Sequence, residues 1–326
     1  MENIDFLSIG DTTTDAFIRL KDASVNCDID RENCKLSVRF ADKVPYEFVE
    51  VVKAVGNSAN AAVASARLGL KTSFVTNIGD DENGRDCLEE LKRNNINTEY
   101  ISVEVGRVTN YHYVLWYDAD RTILVKQNEF NYALPQIRKP KWIYLSSLGA
   151  GTEKYHEAIC QYVRENPEVN LAFQPGTFQI KLGVEKLKDI YENTNVFFCN
   201  TEEARKILKM DGDEKEHDFK KLAHDMSLHG PQIVVITDGL KGAYIYDRQK
   251  NEFFFMPPYP DPKPPYERTG AGDAFESTFT AVLALGKTLE EAMLWAPINS
   301  MSVVQFVGAQ KGLLDQKSIL DWLSKA

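Results

Sequence analysis

Glu267-Arg268-Thr269-Gly270-Ala271-Gly272-Asp273-Ala274-Phe275 sets three small residues directly ahead of an apolar helical run formed by Phe275, Phe279, Val282 and Leu283. Such residues let the chain turn tightly, and the run predicts the helix that the turn opens. The first turn of a helix presents unpaired backbone N–H groups and the positive end of the helix dipole. Gly270, Ala271 and Gly272 therefore predict an anion hole with Asp273 at its edge. Phosphoryl transfer to a hydroxyl needs both features: a cradle for the moving phosphate and an acceptor for the proton.

Outward from this turn, short apolar runs at 4–9, 72–78, 142–145, 170–173, 196–198 and 233–236 alternate with helical stretches, among them 57–70 and 84–94. That alternation predicts an α/β fold with a mostly parallel central sheet covered on both faces. Two regions break it, residues 12–50 and 108–130, which are β-rich and lack crossover helices. They predict a small sheet projecting from the main domain. Its second half contains a hairpin around Asp118-Ala119-Asp120-Arg121, preceded by a strand in which Tyr111, Tyr113 and Trp116 alternate with His112 and Val114. The stretch 257–265, rich in proline, reads as a stiff connector to the anion-hole turn.

The 326 residues are 43% hydrophobic and 26% charged, with a net charge of -10. No basic cluster suits a nucleic acid, and no apolar run approaches the roughly 20 residues that span a bilayer. Met1-Glu2-Asn3-Ile4-Asp5 is acidic and leads straight into a strand, unlike a signal peptide, so a cytoplasmic location is expected. Cys27, Cys34, Cys87, Cys160 and Cys199 form no C-x-x-C pair. Zinc is not expected, and the thiols are read as reduced, with Cys27 and Cys34 the one close pair. His112, His156, His217, His224 and His229 lack ligand spacing and read as surface or core residues. Gly286-Lys287-Thr288 ends like a phosphate-binding P-loop, but Ala281 stands where its first glycine belongs; Phe275 likewise breaks a dinucleotide fingerprint.

Thr269-Gly270-Ala271-Gly272-Asp273 resembles the signature of the ribokinase-like (PfkB-type) carbohydrate kinases, and further matches follow in family order from Asp15 to Gly308. The resemblance implies one three-layer α/β/α ribokinase-like domain over 1–326, with the small sheet as a lid over the sugar. It implies transfer of the ATP γ-phosphate to a hydroxyl of a sugar or sugar acid. A nucleoside kinase, or a silent sensor that binds without turnover, are the alternatives. Asp273 is then the base, and Gly270, Ala271 and Gly272 hold the transferring phosphate. The anion hole is expected to lower the pKa of Asp273.

Asp15, in Gly10-Asp11-Thr12-Thr13-Thr14-Asp15, matches the family residue that accepts two sugar hydroxyls; Asp11 competes for this role. Val55-Gly56-Asn57-Ser58-Ala59-Asn60 resembles a Gly-Gly-x-x-x-Asn loop, giving Gly56 and Asn60 to the acceptor and a helix-capping role to Asn57. Tyr111 and Tyr113 are assigned to the acceptor side of the lid. Asn200-Thr201-Glu202-Glu203 resembles an Asn-x-x-Glu motif in which Glu203 organises Mg²⁺, although the same letters also spell a capping box. Thr237, Gly239 and Gly242 match a nucleotide loop, and Asn299 borders the adenine. Glu267 and Arg268 depart from the family's Asp and small residue. They leave a monovalent cation requirement open and predict a positive charge of Arg268 near the phosphates. Gln174 and Glu276-Ser277 are further departures. A homodimer through the lid is expected by analogy.

Overall fold

The computed structural model describes residues 3–27, 34–210 and 218–325. The reading of His217, and of the first two residues, lies outside them. The main domain strands are β1 (Ile4–Ile9), β6 (Thr72–Gly79), β7 (Ile101–Glu104), β10 (Pro140–Leu145), β11 (Asn170–Phe173), β12 (Val196–Asn200), β13 (Ile233–Thr237), β14 (Ala243–Asp247) and β15 (Glu252–Met256). Inserted between them are β2 (Thr13–Leu20), β3 (Ser24–Asn26), β4 (Lys35–Ser37), β5 (Tyr46–Val55), β8 (Asn110–Tyr117) and β9 (Asp120–Leu124). The helices are α1 (Asn57–Arg67), α2 (Glu82–Arg93), α3 (Glu153–Glu165), α4 (Thr177–Lys186), α5 (Lys188–Glu192), α6 (Thr201–Ile207), α7 (Phe219–Ser227), α8 (Ala271–Ala284), α9 (Leu289–Val303) and α10 (Gln316–Leu323).

The central sheet has nine strands in the order β15-β14-β13-β12-β11-β10-β1-β6-β7. From β13 to β7 all neighbours are parallel, and β14 and β15 add an antiparallel edge. Parallel strands buried on both faces need near-continuous apolar sequence, and successive side chains divide between two cores. Leu7, Ile143, Leu171 and Phe197 face one core with Ile159 of α3 and Met226 of α7. Phe6, Tyr144, Ala172 and Phe198 face the other with Phe279 of α8 and Trp295 of α9. Parallel strands share one C-terminal edge, so the turns after β1, β10, β11, β12 and β13 meet along a single cleft.

The projecting sheet has the order β5-β2-β8-β9, with β2 parallel to β8. Its register sets Asp15 beside His112 and Phe17 beside Val114. On that face Phe17, Val114 and Trp116 pack on Val307 of the main domain. The opposite face carries Val51, Ala16, Tyr113 and Leu124 as one row across the four strands. Strand β5 went unread in the sequence, because its exposed residues lack a clean alternation.

Two expectations change here. Cys27 and Cys34 form a disulfide rather than two reduced thiols. The antiparallel pairing of β3 with β4 sets Asn26 opposite Lys35, which brings the flanking cysteines to a Cα–Cα distance of 4.0 Å. The proline-rich stretch is also more than a connector, since Pro257, Pro258, Tyr259 and Pro265 form the wall of a cavity beside the anion-hole turn.

Candidate active site

The turn before α8 is shaped by Gly270 and Glu267. Gly270 caps the helix in the left-handed region at φ 82°. A Cβ there would lie 2.2 Å from Ala309 Cβ, so only glycine fits. Glu267 is fully buried and folds the loop: Oε1 accepts Thr269 N (2.8 Å) and Thr269 Oγ1 (2.6 Å), and Oε2 accepts Gly308 N (3.3 Å). With its carboxylate engaged in this way, Glu267 acts as a framework residue of the turn. Ala271 and Gly272, in the first turn of α8, line the cavity beside this turn, and a first helical turn leaves backbone N–H groups without helical partners.

Asp273 sits at the lip of this turn and is gripped by two amides. Asn60 Nδ2 donates to Asp273 Oδ2 at 2.7 Å, and Gln174 Nε2 donates to Asp273 Oδ1 at 3.0 Å. Each amide is itself oriented. Gln174 Oε1 accepts from Tyr144 OH (2.8 Å), and Asn60 Oδ1 accepts from Gln310 Nε2 (3.0 Å). The carboxyl of Asp273 is pushed up from its ordinary value, chiefly by burial, against the opposing pull of the two amides and of Arg121. This corrects the expected lowering: removal from water outweighs the donors, because charge is costly in a poorly solvated cleft. A carboxylate raised in this way holds a proton more tightly than an exposed one. One turn further on, Glu276 is buried and pushed well above the usual carboxylate range by burial and by the charges of Asp273 and Glu203.

Beside the turn lies a cavity of about 270 Å³ lined by Thr237, Gly239, Gly242, Arg268, Ala271 and Gly272. The three predicted nucleotide-loop residues therefore share one cavity with the anion hole. Gly242 is held at φ 102°, where a Cβ would meet Met256 O at 2.4 Å. Arg268 stands at this cavity, and its Nη1 lies 3.8 Å from Asp120 Oδ2 on β9, linking the projecting sheet to the turn. Asn299 is not part of the wall. It is fully buried between helices, with Nδ2 on Thr278 Oγ1 (2.7 Å) and Oδ1 on Leu314 N (2.8 Å), while Pro297, Ser300, Met301 and Val304 line the cavity instead.

Asn200 and Glu203 form the reciprocal capping box of α6: Asn200 Oδ1 accepts Glu203 N, and Glu203 Oε2 accepts Asn200 N, both at 2.9 Å. The cap sets the direction of Glu203, whose carboxyl is pushed up by burial. At α1, by contrast, Gly56 occupies the cap position and no side chain caps the helix, so Asn57 does not act as expected. Gly56 has φ 107° and lies against the backbone of Asp11.

On the acceptor side, Asp15 is 8% exposed and its Oδ1 has no hydrogen-bond partner. Asp11 does not compete for that role. Its carboxylate is filled by Tyr132 OH (2.7 Å), Gly149 N (2.8 Å) and Gln127 Nε2, and burial pushes it up to about 6. Asn60 lies beside Asp273 and donates one amide hydrogen to it. Tyr111 and Tyr113 are brought together, with rings 5.3 Å apart, but on the other face of the sheet from Asp15. There they line a separate hollow of about 460 Å³ with Asn83 and Lys126. The sequence reading missed Gln174 as a partner of Asp273. Its place immediately after β11 was the available signal, since residues at the ends of parallel strands enter the cleft.

A model of the pfkB family carbohydrate kinases matches residues 24–316. The ribokinase of Bacillus subtilis (strain 168) is 27% identical over 280 residues, spanning 82% of this chain and 87% of the relative. The 5-dehydro-2-deoxygluconokinase of Geobacillus thermodenitrificans (strain NG80-2) is 27% identical over 281 residues, spanning 79% of this chain and 80% of the relative. The structure of Arabidopsis thaliana ribokinase complexed with ribose and ATP superimposes with a TM-score of 0.81 at 17% identity, covering 99% of each chain.

Proposed function

This chain belongs to the pfkB family of carbohydrate kinases, and we propose that it transfers the γ-phosphate of ATP to a hydroxyl of a sugar or sugar acid with Asp273 as the base. The observation that carries the assignment is the fixed position of Asp273, held by Asn60 and Gln174 at the lip of the anion-hole turn.

ATP lies in the cavity between the Thr237–Gly242 loop and the start of α8, with its phosphates toward Gly270, Ala271 and Gly272. Arg268 adds positive charge at the phosphate end. The acceptor approaches from the Asp15 and Gly56 side and presents its hydroxyl to Asp273. The base takes that proton, and the N–H groups of the turn receive the transferring phosphoryl. In a loose transition state the proton leaves late, so the two amides serve mainly to aim the carboxylate.

The donor set fits Mg²⁺. Glu203 and Glu276 supply hard oxygen, and Glu276 Oε2 is buried without a partner. Among the described residues no group of three metal-ligating side chains forms a cage. That suits an ion which keeps most of its water and is held mainly by phosphates. When bound, Mg²⁺ would supply neutralisation of phosphate charge, and Glu203 and Glu276 would be the residues that hold it. Glu267 is engaged within the loop, which argues against its serving as a monovalent-cation ligand.

Among the described residues no helix is long and apolar enough to cross a membrane. The outer row of the projecting sheet is apolar and open, with Val51 47%, Tyr113 50% and Leu124 52% exposed. This supports a homodimer formed lid to lid, which analytical ultracentrifugation tests. The kinase assignment is tested by ADP release from Mg-ATP over a panel of sugars, sugar acids and nucleosides. Turnover on one acceptor that is lost in Asp273→Asn while ATP still binds is the expected result; absence of acceptor-dependent turnover across the panel overturns it.

A further inference from the structure

The register of the projecting sheet places His112 of β8 directly beside Asp15 of β2, on the face that packs toward the main domain. His112 Nδ1 lies 3.4 Å from Asp15 Oδ1. That is within ion-pair range but off the line of a hydrogen bond, so Asp15 Oδ1 remains unpartnered. His112 Nε2 is also buried and unpartnered. Unsatisfied buried polar atoms are uncommon because each costs free energy, and two on adjacent residues call for a shared cause.

We propose that His112 is an acceptor-binding residue, which together with Asp15 clamps two neighbouring hydroxyls of the substrate. The inference rests on the reading above, in which the acceptor lies beside Asp15. The chemistry of the pair selects the ligand. A carboxylate next to Nδ1 favours the tautomer with its proton on Nδ1, which leaves Nε2 as an acceptor. Asp15 Oδ1 is an acceptor too. Two adjacent acceptors require two adjacent donors, and a vicinal diol supplies them.

A carboxylate or phosphate at this end would meet acceptors on both sides. The surrounding charge points the same way. Asp15 from β2 lies 3.4 Å from His112, Asp11 from the β1–β2 turn also bears on it, and Tyr111 and Tyr113 flank it on its own strand. If the substrate is a sugar acid, its acid group therefore points away from this pair. Both orphan atoms are shielded from water, so binding requires the sheet to shift outward, and the diol then spans from Asp15 Oδ1 to His112 Nε2 past the edge of the ring.

The test uses the best acceptor of the panel and its monodeoxy analogues, with wild type, His112→Ala, His112→Asn and Asp15→Asn. Loss of one ligand hydrogen bond predicts that His112→Ala raises acceptor KM roughly tenfold while kcat and ATP affinity stay within about threefold. One deoxy analogue is discriminated against by wild type and no longer by His112→Ala. His112→Asn, which keeps a polar tip, recovers part of the affinity. Unchanged KM and unchanged deoxy discrimination in both His112 variants, with KM raised in Asp15→Asn, overturns the role of His112 alone. Unchanged KM in Asp15→Asn as well overturns the acceptor placement on which it rests.

Discussion

Asn60 Nδ2 lies 2.7 Å from Asp273 Oδ2, and the two residues are 213 positions apart in the chain. One comes from the first helix of the fold and the other from the eighth. The carboxylate is thus aimed by a contact that only the completed tertiary structure brings about.

Replacement of Asn60 by alanine frees one oxygen of the base and leaves Gln310 without one of its partners. Because the contact acts on the aim of Asp273, kcat is expected to fall by about ten- to a hundredfold, a loss typical of misplacement near the reacting atoms. Acceptor KM changes less. Asn60→Asp sets a second carboxylate against the base and is expected to be the more damaging variant. Steady-state kinetics with acceptor and ATP varied separately checks both.

Asp273→Asn keeps the shape of the side chain and removes its basicity. A fall in kcat of about 10² to 10⁴ is expected, the range for loss of general base catalysis. ATP affinity measured by calorimetry should remain close to wild type, since the N–H groups of the turn are untouched.

The pH profile follows from burial. The carboxyl of Asp273 sits above its ordinary value of 3.8, and only its charged form accepts a proton. kcat/KM is therefore expected to fall on the acid side through an apparent pKa above 3.8. Gln174 donates to the charged form and holds that value down. In Gln174→Ala the acid limb should move to higher pH; movement to lower pH would contradict the arrangement.

Asp11 predicts a stability effect independent of catalysis. Its folded carboxyl titrates at about 6 against an ordinary 3.8. The folded state thus binds the proton more tightly, a contribution present below 3.8 that is lost as pH rises through 6. The difference corresponds to about 3 kcal/mol. Asp11→Asn is neutral throughout, retains an oxygen for Gly149 N and Gln127, and turns an N–H₂ toward Tyr132 OH. Urea denaturation is expected to find it more stable than wild type near about pH 8, with the gap closing below about pH 4.

The central sheet was legible because buried parallel strands need uninterrupted apolar runs, and each such run from 4–9 to 233–236 became a strand. The anion-hole turn was legible for a similar reason: only small residues fit where Gly270 meets Ala309. What escaped the sequence depends on distant partners. Asn60 carries the same letters whether its amide meets a sugar or Asp273. Gln174 has only its place after β11 to mark it, which does not name Asp273 as its partner. Asn299 was misassigned because a helix position alone does not tell whether a side chain faces a cavity or a neighbouring helix. Tyr111 and Tyr113 were on the right strand, but strand alternation sends them to the face away from Asp15. The Cys27–Cys34 bond depends on how β3 pairs with β4, and strands of three residues, nearly all exposed, give no pattern from which to read it.

The contact of Gly270 with Ala309, and the hold of Gln310 on Asn60, have a meaning for biosynthesis. The turn is translated before the segment that packs on it. A ribosome-bound chain that has released residue 273 but not residue 310 holds the turn without Ala309 against Gly270 and without Gln310 on Asn60. The geometry around Asp273 is therefore completed only when this late segment folds onto the turn, which makes it one of the last features of the fold to be fixed.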